Sequence, residues 1–242
     1  MRLGCEYRQL IARIQPRTKS PSYPGLPDWA EPGFKPDFWW ILVVSAAANG
    51  WFPDRTAMPA DRLFIAIPLP ASVREQLVAL YEPMRSIAWT RPEQRHLTLR
   101  CLGDVESEWG ERLESALGRA QVEPFLLPVA GMGAFPPHGT ARVLWVGVGH
   151  GHPRLHQLRQ QIDDALLATG FPLDVRIFHP HVSLGRVKDP GSPAAASEFL
   201  KRHRDFEAAP FRVEAFQLCA SELRPGGAVH TLKREFRLQM AS

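Results

Sequence analysis

Two short segments of the chain each place a hydroxyl two residues after a histidine. One reads His-Leu-Thr-Leu from His96, and the other reads His-Val-Ser-Leu from His181. In an extended strand alternate side chains share a face, so His96 lies beside Thr98. By the same rule His181 lies beside Ser183, and the aliphatic neighbours face the other way. The sequence therefore predicts two amphipathic strands that carry the same polar pair.

These residue types suit the opening of a cyclic phosphodiester. That reaction deprotonates a water on one side of phosphorus and protonates the departing oxygen on the other. Imidazole titrates near neutral pH, so one ring can be neutral while the other is charged. Hydroxyls at Thr98 and Ser183 would donate to the non-bridging oxygens, where negative charge accumulates in the transition state. Such a mechanism needs no metal and no cofactor.

The same residues allow other interpretations. A single histidine on a strand is more often a hydrogen-bonded structural residue, so it is the pair of matched strands that favours catalysis. A metal site is conceivable because His179, His181 and His96 offer three nitrogens, but no paired carboxylate or cysteine stands at ligand spacing. A third triplet, from His138 to Thr140, follows two prolines and lacks alternating apolar residues, which predicts a turn.

Composition and charge allow an RNA partner. The 242 residues are 45% hydrophobic and carry a net charge of +4, which suits a polyanion without proving one. Cys5, Cys101 and Cys219 form no CxxC pair, which argues against a disulfide framework and predicts a reducing, cytoplasmic location. The apolar run at 38–44 is about half the length that crosses a bilayer, so no membrane partner is expected. A monomer is the default expectation.

Residues 1–60 differ from the rest of the chain. They hold eight of the 23 prolines and four of the seven tryptophans, with no sustained period. We expect an irregular N-terminal extension there and one domain over 61–242. Met58 stands just before the first predicted strand, so either it is the native start or residues 1–57 form a dispensable tail.

The domain has a mixed pattern of helices and strands, which predicts the α+β class. A helix precedes a histidine strand in both halves, as expected of an internal duplication. Pro83 would kink or shorten the first helix, and Arg-Pro-Gly-Gly at 224–227 predicts a turn. The predicted helices are 72–87, 107–121 and 153–168, and the predicted strands are 62–67, 94–102, 125–132, 142–147, 181–187, 211–223 and 229–238.

At these residues the sequence resembles the 2H phosphoesterase superfamily, and specifically the RNA 2',3'-cyclic phosphodiesterases that are also called 2'-5' RNA ligases. The resemblance spans about residues 62–238. Besides the two histidine motifs it is carried by Arg-Leu-Phe-Ile-Ala-Ile at 62–67, the segment 89–102, Gly-Ala-Phe-Pro at 133–136, Arg-Val-Leu-Trp at 142–145, the segment 180–184 and Ser-Glu-Leu-Arg-Pro-Gly-Gly-Ala at 221–228.

The resemblance implies a bilobal fold in which two antiparallel sheets with outer helices are related by a pseudo-twofold around a central groove. It also implies hydrolysis of 2',3'-cyclic phosphates, on RNA ends or small cyclic nucleotides, to 2'-phosphomonoesters, and a reverse joining of RNA ends through a 2'-5' bond. By this likeness His96 is the proton donor to the leaving O3', and His181 is the acceptor that activates water.

Two positions depart from the pattern that the family resemblance or regular strand alternation predicts. Ser183 stands where the family usually has threonine, a change that keeps the donor but loses a methyl group. Arg186 matches the family's phosphate-binding arginine, yet regular alternation would place it opposite His181. Gly185 could supply a bulge that re-aims it. The alternative is an ordinary charge at the strand end.

Three further residues are weaker candidates. Arg100 shares the face of the first motif by alternation, so it is either a surface cation or a charge near RNA phosphates. Phe135 and His179 could stack a base at the groove edge, or they could be simple packing residues. The competing class of protein is a non-catalytic RNA- or nucleotide-binding module on the same fold.

Overall fold

The computed structural model describes residues 60–188, 193–224 and 227–239. The predicted N-terminal extension, apart from Ala60, lies outside these residues, as do Pro225 and Gly226 of the predicted turn. The helices are α1 (Ala71–Val78), α2 (Gly110–Leu117), α3 (Pro153–Leu167) and α4 (Pro193–Arg202). The strands are β1 (Ala60–Pro68), β2 (Ile87–Trp89), β3 (His96–Glu106), β4 (Phe125–Phe135), β5 (Val143–Val148), β6 (His181–Val187), β7 (Glu207–Val213), β8 (Ala215–Arg224) and β9 (Gly227–Arg237).

These strands form two antiparallel sheets. The first has the order β3-β1-β8-β9, and the second has the order β2-β6-β5-β4-β7. We call them the first and second lobe. Each half of the chain contributes to both lobes, because β2 and β4 join the second sheet while β8 and β9 return to the first. The histidine strands β3 and β6 contact each other although they belong to different sheets, and we call the surface between them that carries both histidines the groove.

The helices cover the sheet faces that point away from the groove. The helical period of α3 buries Leu155, Leu158, Ile162 and Leu166 completely. α4 contributes the fully buried Phe199 in the same way. Burying one such side chain stabilises the fold by about 1.5–3 kcal/mol. This packing fixes the backs of the sheets, and with them the strands that carry the histidines.

Both histidine strands follow a helix, α1 before β3 and α3 before β6, as the sequence predicts. The predicted helix 72–87 is wrong in its second half, because α1 ends at Val78 and the chain becomes extended again in β2. Pro83 falls in the intervening segment, where its missing N–H and its ring oppose a helix. The predicted strand 211–223 is in fact two strands, β7 and β8, which Glu214 separates and which lie in different sheets.

Helix α4 is absent from the elements predicted above. Within the described ranges, no helix is both long enough and apolar enough to cross a membrane.

Candidate active site

A β-bulge shapes the groove face of β3. Thr98 pairs with one residue of β1, and the next residue of β1 pairs with Arg100, so Leu99 is an extra residue in β3. His96 and Thr98 face the groove before the bulge. After it, Arg100 turns to the core and Cys101 turns to the groove.

The bulge corrects two expectations from simple alternation. Arg100 does not share the face of His96: it is only 2% exposed and forms an ion pair with Asp163 of α3. Alternation along β3 would place Cys101 on the core face with Leu97 and Leu99, but Cys101 is exposed. Neither interpretation of Arg100 as a surface charge is therefore correct, because the guanidinium belongs to a buried network behind the strand.

β6 contains the same irregularity at the equivalent place. Ser183 and Gly185 pair with consecutive residues of β5, so Leu184 is the extra residue. Arg186 is consequently exposed and lies on the same face as His181 and Ser183. A Cβ on Gly185 would lie 2.8 Å from a side-chain carbon of β2, so glycine lets the two strands approach. The predicted re-aiming of Arg186 thus takes place.

Both imidazoles are held by a backbone carbonyl two residues earlier. Nδ1 of His96 lies 2.7 Å from the carbonyl oxygen of Gln94, and Nδ1 of His181 lies 2.7 Å from that of His179. A carbonyl oxygen only accepts hydrogen bonds, so Nδ1 of each ring carries a hydrogen and donates it. Nε2 is then the atom that gains or loses a proton in both rings.

Burial favours the neutral form of both imidazoles. It lowers the pKa of His96 to about 4, and the charges of His230 and His181 act in the same direction against the Gln94 carbonyl. Burial also lowers the pKa of His181; the hydrogen bond to the His179 carbonyl opposes this effect, and the charge of the His179 side chain adds to it. His96 and His181 lie on strands that contact each other, β3 and β6.

Aromatic rings pack against His96 in the first lobe. The Phe64 ring stacks on it with centroids 4.8 Å apart, and the His230 ring meets it edge-on at 5.1 Å. Phe64 also belongs to a small buried cluster with Ala66 and Cys219. His230 escaped the sequence analysis because its place depends on the pairing of β9 with β8, which brings together residues far from His96 in the chain.

Gln94 links the rings packed around His96 to the hydrogen bond that orients the His96 imidazole. Its carbonyl accepts the Nδ1 hydrogen of His96, and its side-chain amide donates to the carbonyl of Ala228 in β9. The strand that carries His230 is therefore tied to the residue that orients His96.

In the second lobe, the two predicted stacking residues do lie beside His181. Phe135 meets His181 at 4.9 Å and His179 at 5.3 Å, in both cases edge-on. Trp145 adds a third ring, 4.7 Å from His179. A side chain on Gly133 would collide with the Trp145 ring, so glycine there makes room for the indole. Trp145 is a site neighbour that alternation alone did not single out.

Two further sequence interpretations concern histidines, namely the turn at His138 and a metal site at His96, His179 and His181. His138 lies in an exposed bend between β4 and β5, as its sequence context predicts. In the described part of the chain, no group of three or more His, Cys, Asp and Glu side chains is arranged to hold a metal ion. His96, His179 and His181 therefore form no such group.

Known proteins share this architecture. A family model described as the 2'-5' RNA ligase superfamily matches residues 85–224. An RNA 2',3'-cyclic phosphodiesterase of Thermus thermophilus is 34% identical over 187 residues, which cover 74% of this chain and 90% of that protein. One from Aeropyrum pernix is 31% identical over 160 residues, covering 66% and 89%. The crystal structure of E. coli LigT complexed with 3'-AMP aligns with a TM-score of 0.61 at 27% identity, over 75% of this chain and 100% of that one.

The two antiparallel sheets and their paired histidine strands define the bilobal 2H phosphoesterase fold, as the family resemblance implies. Within that class, the chain belongs to the 2'-5' RNA ligase superfamily.

Proposed function

We propose that the protein hydrolyses 2',3'-cyclic phosphates, on RNA ends or small cyclic nucleotides, to 2'-phosphomonoesters. One observation carries the proposal: two half-buried imidazoles in one groove are both oriented through Nδ1, so that each offers Nε2 for proton transfer. Relatives named RNA 2',3'-cyclic phosphodiesterase support the substrate class.

The chemical step uses one histidine on each side of phosphorus. A water attacks phosphorus as Nε2 of His181 accepts its proton. The bond between phosphorus and O3' breaks, and Nε2 of His96 donates its proton to O3'. The products are a 2'-phosphomonoester and a free 3'-hydroxyl, and the histidines end with exchanged protonation states. This assignment of donor and acceptor follows the family resemblance.

Three side chains would stabilise the phosphate during this step. Thr98 and Ser183 lie two residues after the histidines, on the same faces, and would donate to the non-bridging oxygens. Arg186 follows the bulge of β6 on that face, where its planar guanidinium suits phosphate oxygens. Negative charge grows on these oxygens as water attacks, so all three contacts strengthen in the transition state.

The same arrangement supports two extensions of the proposal. A 5'-hydroxyl of a second RNA that replaced water would join the ends through a 2'-5' bond, with O3' again leaving. Phe135 and His179, beside His181, offer aromatic surfaces on which the base of the substrate can stack.

The pH dependence of activity follows from the lowered pKa values. Since burial lowers the pKa of both His96 and His181 in the free enzyme, the profile of kcat/KM is expected to be bell-shaped, with both limbs below pH 6.5. A bound phosphate adds negative charge and raises both pKa values, which allows His96 to be protonated in the complex. The kcat profile should therefore lie at higher pH than the kcat/KM profile.

Initial rates measured over a range of substrate concentrations between pH 4 and pH 9 separate the two profiles. The apparent pKa values belong to the coupled pair rather than to either ring alone. An optimum of kcat/KM above pH 7, or a kcat profile displaced to lower pH, would contradict the proposed pair.

A further inference from the structure

A buried chain of charges lies behind β3. Arg100 and Arg159 both form ion pairs with Asp163. Arg159 also reaches Asp174, with Nη2 3.3 Å from Oδ2. Its Nη1 donates to the carbonyl of Leu99, the extra residue of the bulge. This network therefore supports the turn in β3 that follows Thr98.

Arg176 is the outer end of this network. Its Nε and Nη2 lie 2.8 Å and 2.9 Å from the two oxygens of Asp174. Three guanidinium groups thus face two carboxylates, which leaves one positive charge in excess. The side chains of Arg100 and Arg159 are 2% and 9% exposed, whereas that of Arg176 is 53% exposed. The excess positive charge is therefore accessible to solvent and to ligands at Arg176.

Arg176 lies beside the bulge of β3, because its partner Asp174 also pairs with Arg159, which donates to the carbonyl of Leu99. Cys101 follows the bulge and pairs with Phe64 of β1, on the face that carries His96. Asp174, and to a smaller extent the nearby Cys101 side chain, raise the pKa of Arg176. The position of Cys101, five residues after the histidine, is occupied in β6 by Arg186. A guanidinium therefore reaches the equivalent place in both lobes. In the second lobe it comes from the strand itself, and in the first it comes from the segment before β6.

The ion pair also fixes the charge and position of Arg176. Burial opposes ionisation of Asp174, but the hydrogen bonds and charge of Arg176, with the charge of Arg159, more than offset it and lower the pKa of Asp174 to about 2. Asp174 engages Nε and Nη2, so Nη1 stays outside the ion pair. A guanidinium held in this way loses little side-chain freedom when it binds an anion.

We propose that Arg176 binds a phosphate of the RNA chain next to the phosphate that reacts. Cys101 is three residues beyond Thr98, which places Arg176 roughly 7–10 Å from the proposed phosphate cradle. At that separation it is too far from the reacting phosphate for a hydrogen bond but can reach its neighbour. The inference rests on the proposed function and adds to it a preference for oligonucleotides over mononucleotides.

The test compares two substrates, a nucleoside 2',3'-cyclic phosphate and an oligoribonucleotide that ends in the same group. For Arg176→Gln we expect KM for the oligonucleotide to rise about tenfold, near the lower end of what one charge-assisted hydrogen bond contributes. KM for the mononucleotide should change less than twofold. The slope of log KM for the oligonucleotide against log salt concentration should become shallower by about 0.7, the value for one contact to a single strand.

Arg204→Gln is the matched control. Arg204 is also exposed and paired with a neighbouring carboxylate, Asp205, but it precedes β7, three strands away from β6 in the second sheet. This variant should leave KM unchanged for both substrates. Arg176→Lys keeps the positive charge, so its slope of log KM against log salt concentration should stay close to that of the wild-type protein. Urea unfolding midpoints within a few tenths of a molar unit of wild type would show that the variants are folded.

Equal changes for both substrates, or no change for the oligonucleotide, would overturn the role of Arg176. If the wild-type protein turned over neither substrate, the proposed function would fail instead. The same comparison, made by fluorescence anisotropy with the labelled oligonucleotide, would then still decide whether Arg176 binds the RNA chain.

Discussion

Replacing either His96 or His181 with alanine is expected to lower kcat for a nucleoside 2',3'-cyclic phosphate by about 10²–10⁴-fold, the usual contribution of one positioned acid or base. Each substitution removes an Nε2 that an Nδ1 hydrogen bond to a backbone carbonyl orients for proton transfer. The loss of kcat in the double variant should be much smaller than the product of the two single losses, because the acid and the base act as a unit.

His138→Ala is the control for these variants. His138 begins the third His-x-hydroxyl triplet but lies in an exposed bend, so its removal should leave kcat and KM unchanged. Single-turnover rates with saturating enzyme would separate the chemical step from substrate binding. Retention of more than a tenth of wild-type kcat by folded His96→Ala or His181→Ala protein would count against two-histidine catalysis.

Replacing Arg159 with methionine should lower the free energy of unfolding by about 3–5 kcal/mol, as is typical when one partner of a buried ion pair is removed. The substitution keeps much of the apolar stem but leaves Asp163, Asp174 and the carbonyl of Leu99 without this donor. Urea unfolding followed by circular dichroism measures the difference.

Arg154→Met on the same helix provides the comparison. Arg154 pairs with Glu123, and their side chains are 43% and 36% exposed. Exposed pairs of this kind contribute about 0–1 kcal/mol, so this variant should unfold close to wild type. If the two variants differed by less than 1 kcal/mol, the charge network behind β3 would not be a major source of stability.

The pair of candidate catalytic histidines could be recognised in the sequence because its signal is local. A period of two sets the faces of His96 and Thr98, and of His181 and Ser183, without knowledge of any other strand. The amphipathic pattern of α3 is equally local and predicts its buried face. Composition and motif spacing were therefore sufficient for the α+β class and for the core of the candidate site.

The remaining features of the site depend on contacts between residues that are far apart in the sequence. Arg100 was misplaced because the bulge at Leu99 depends on the register with β1, which no alternation within β3 reveals. The equivalent bulge in β6 was anticipated only because the family resemblance places Arg186 at the phosphate, where regular alternation would not put it, and Gly185 could supply the bulge. His230 reaches His96 through the pairing of β9 with β8. Arg176 joins the charge network through its ion pair with Asp174. Short motifs reveal neither contact.

The central claim is tested most directly by product analysis after the protein is incubated with a nucleoside 2',3'-cyclic phosphate, with and without excess EDTA. Phosphorus NMR or chromatography against standards distinguishes the 2'- and 3'-phosphomonoesters. We expect the 2'-phosphomonoester alone, formed at the same rate in both reactions, because two histidines supply the proton transfers. Absence of any monoester, formation of the 3'-phosphate, or full loss of activity with EDTA would contradict this account.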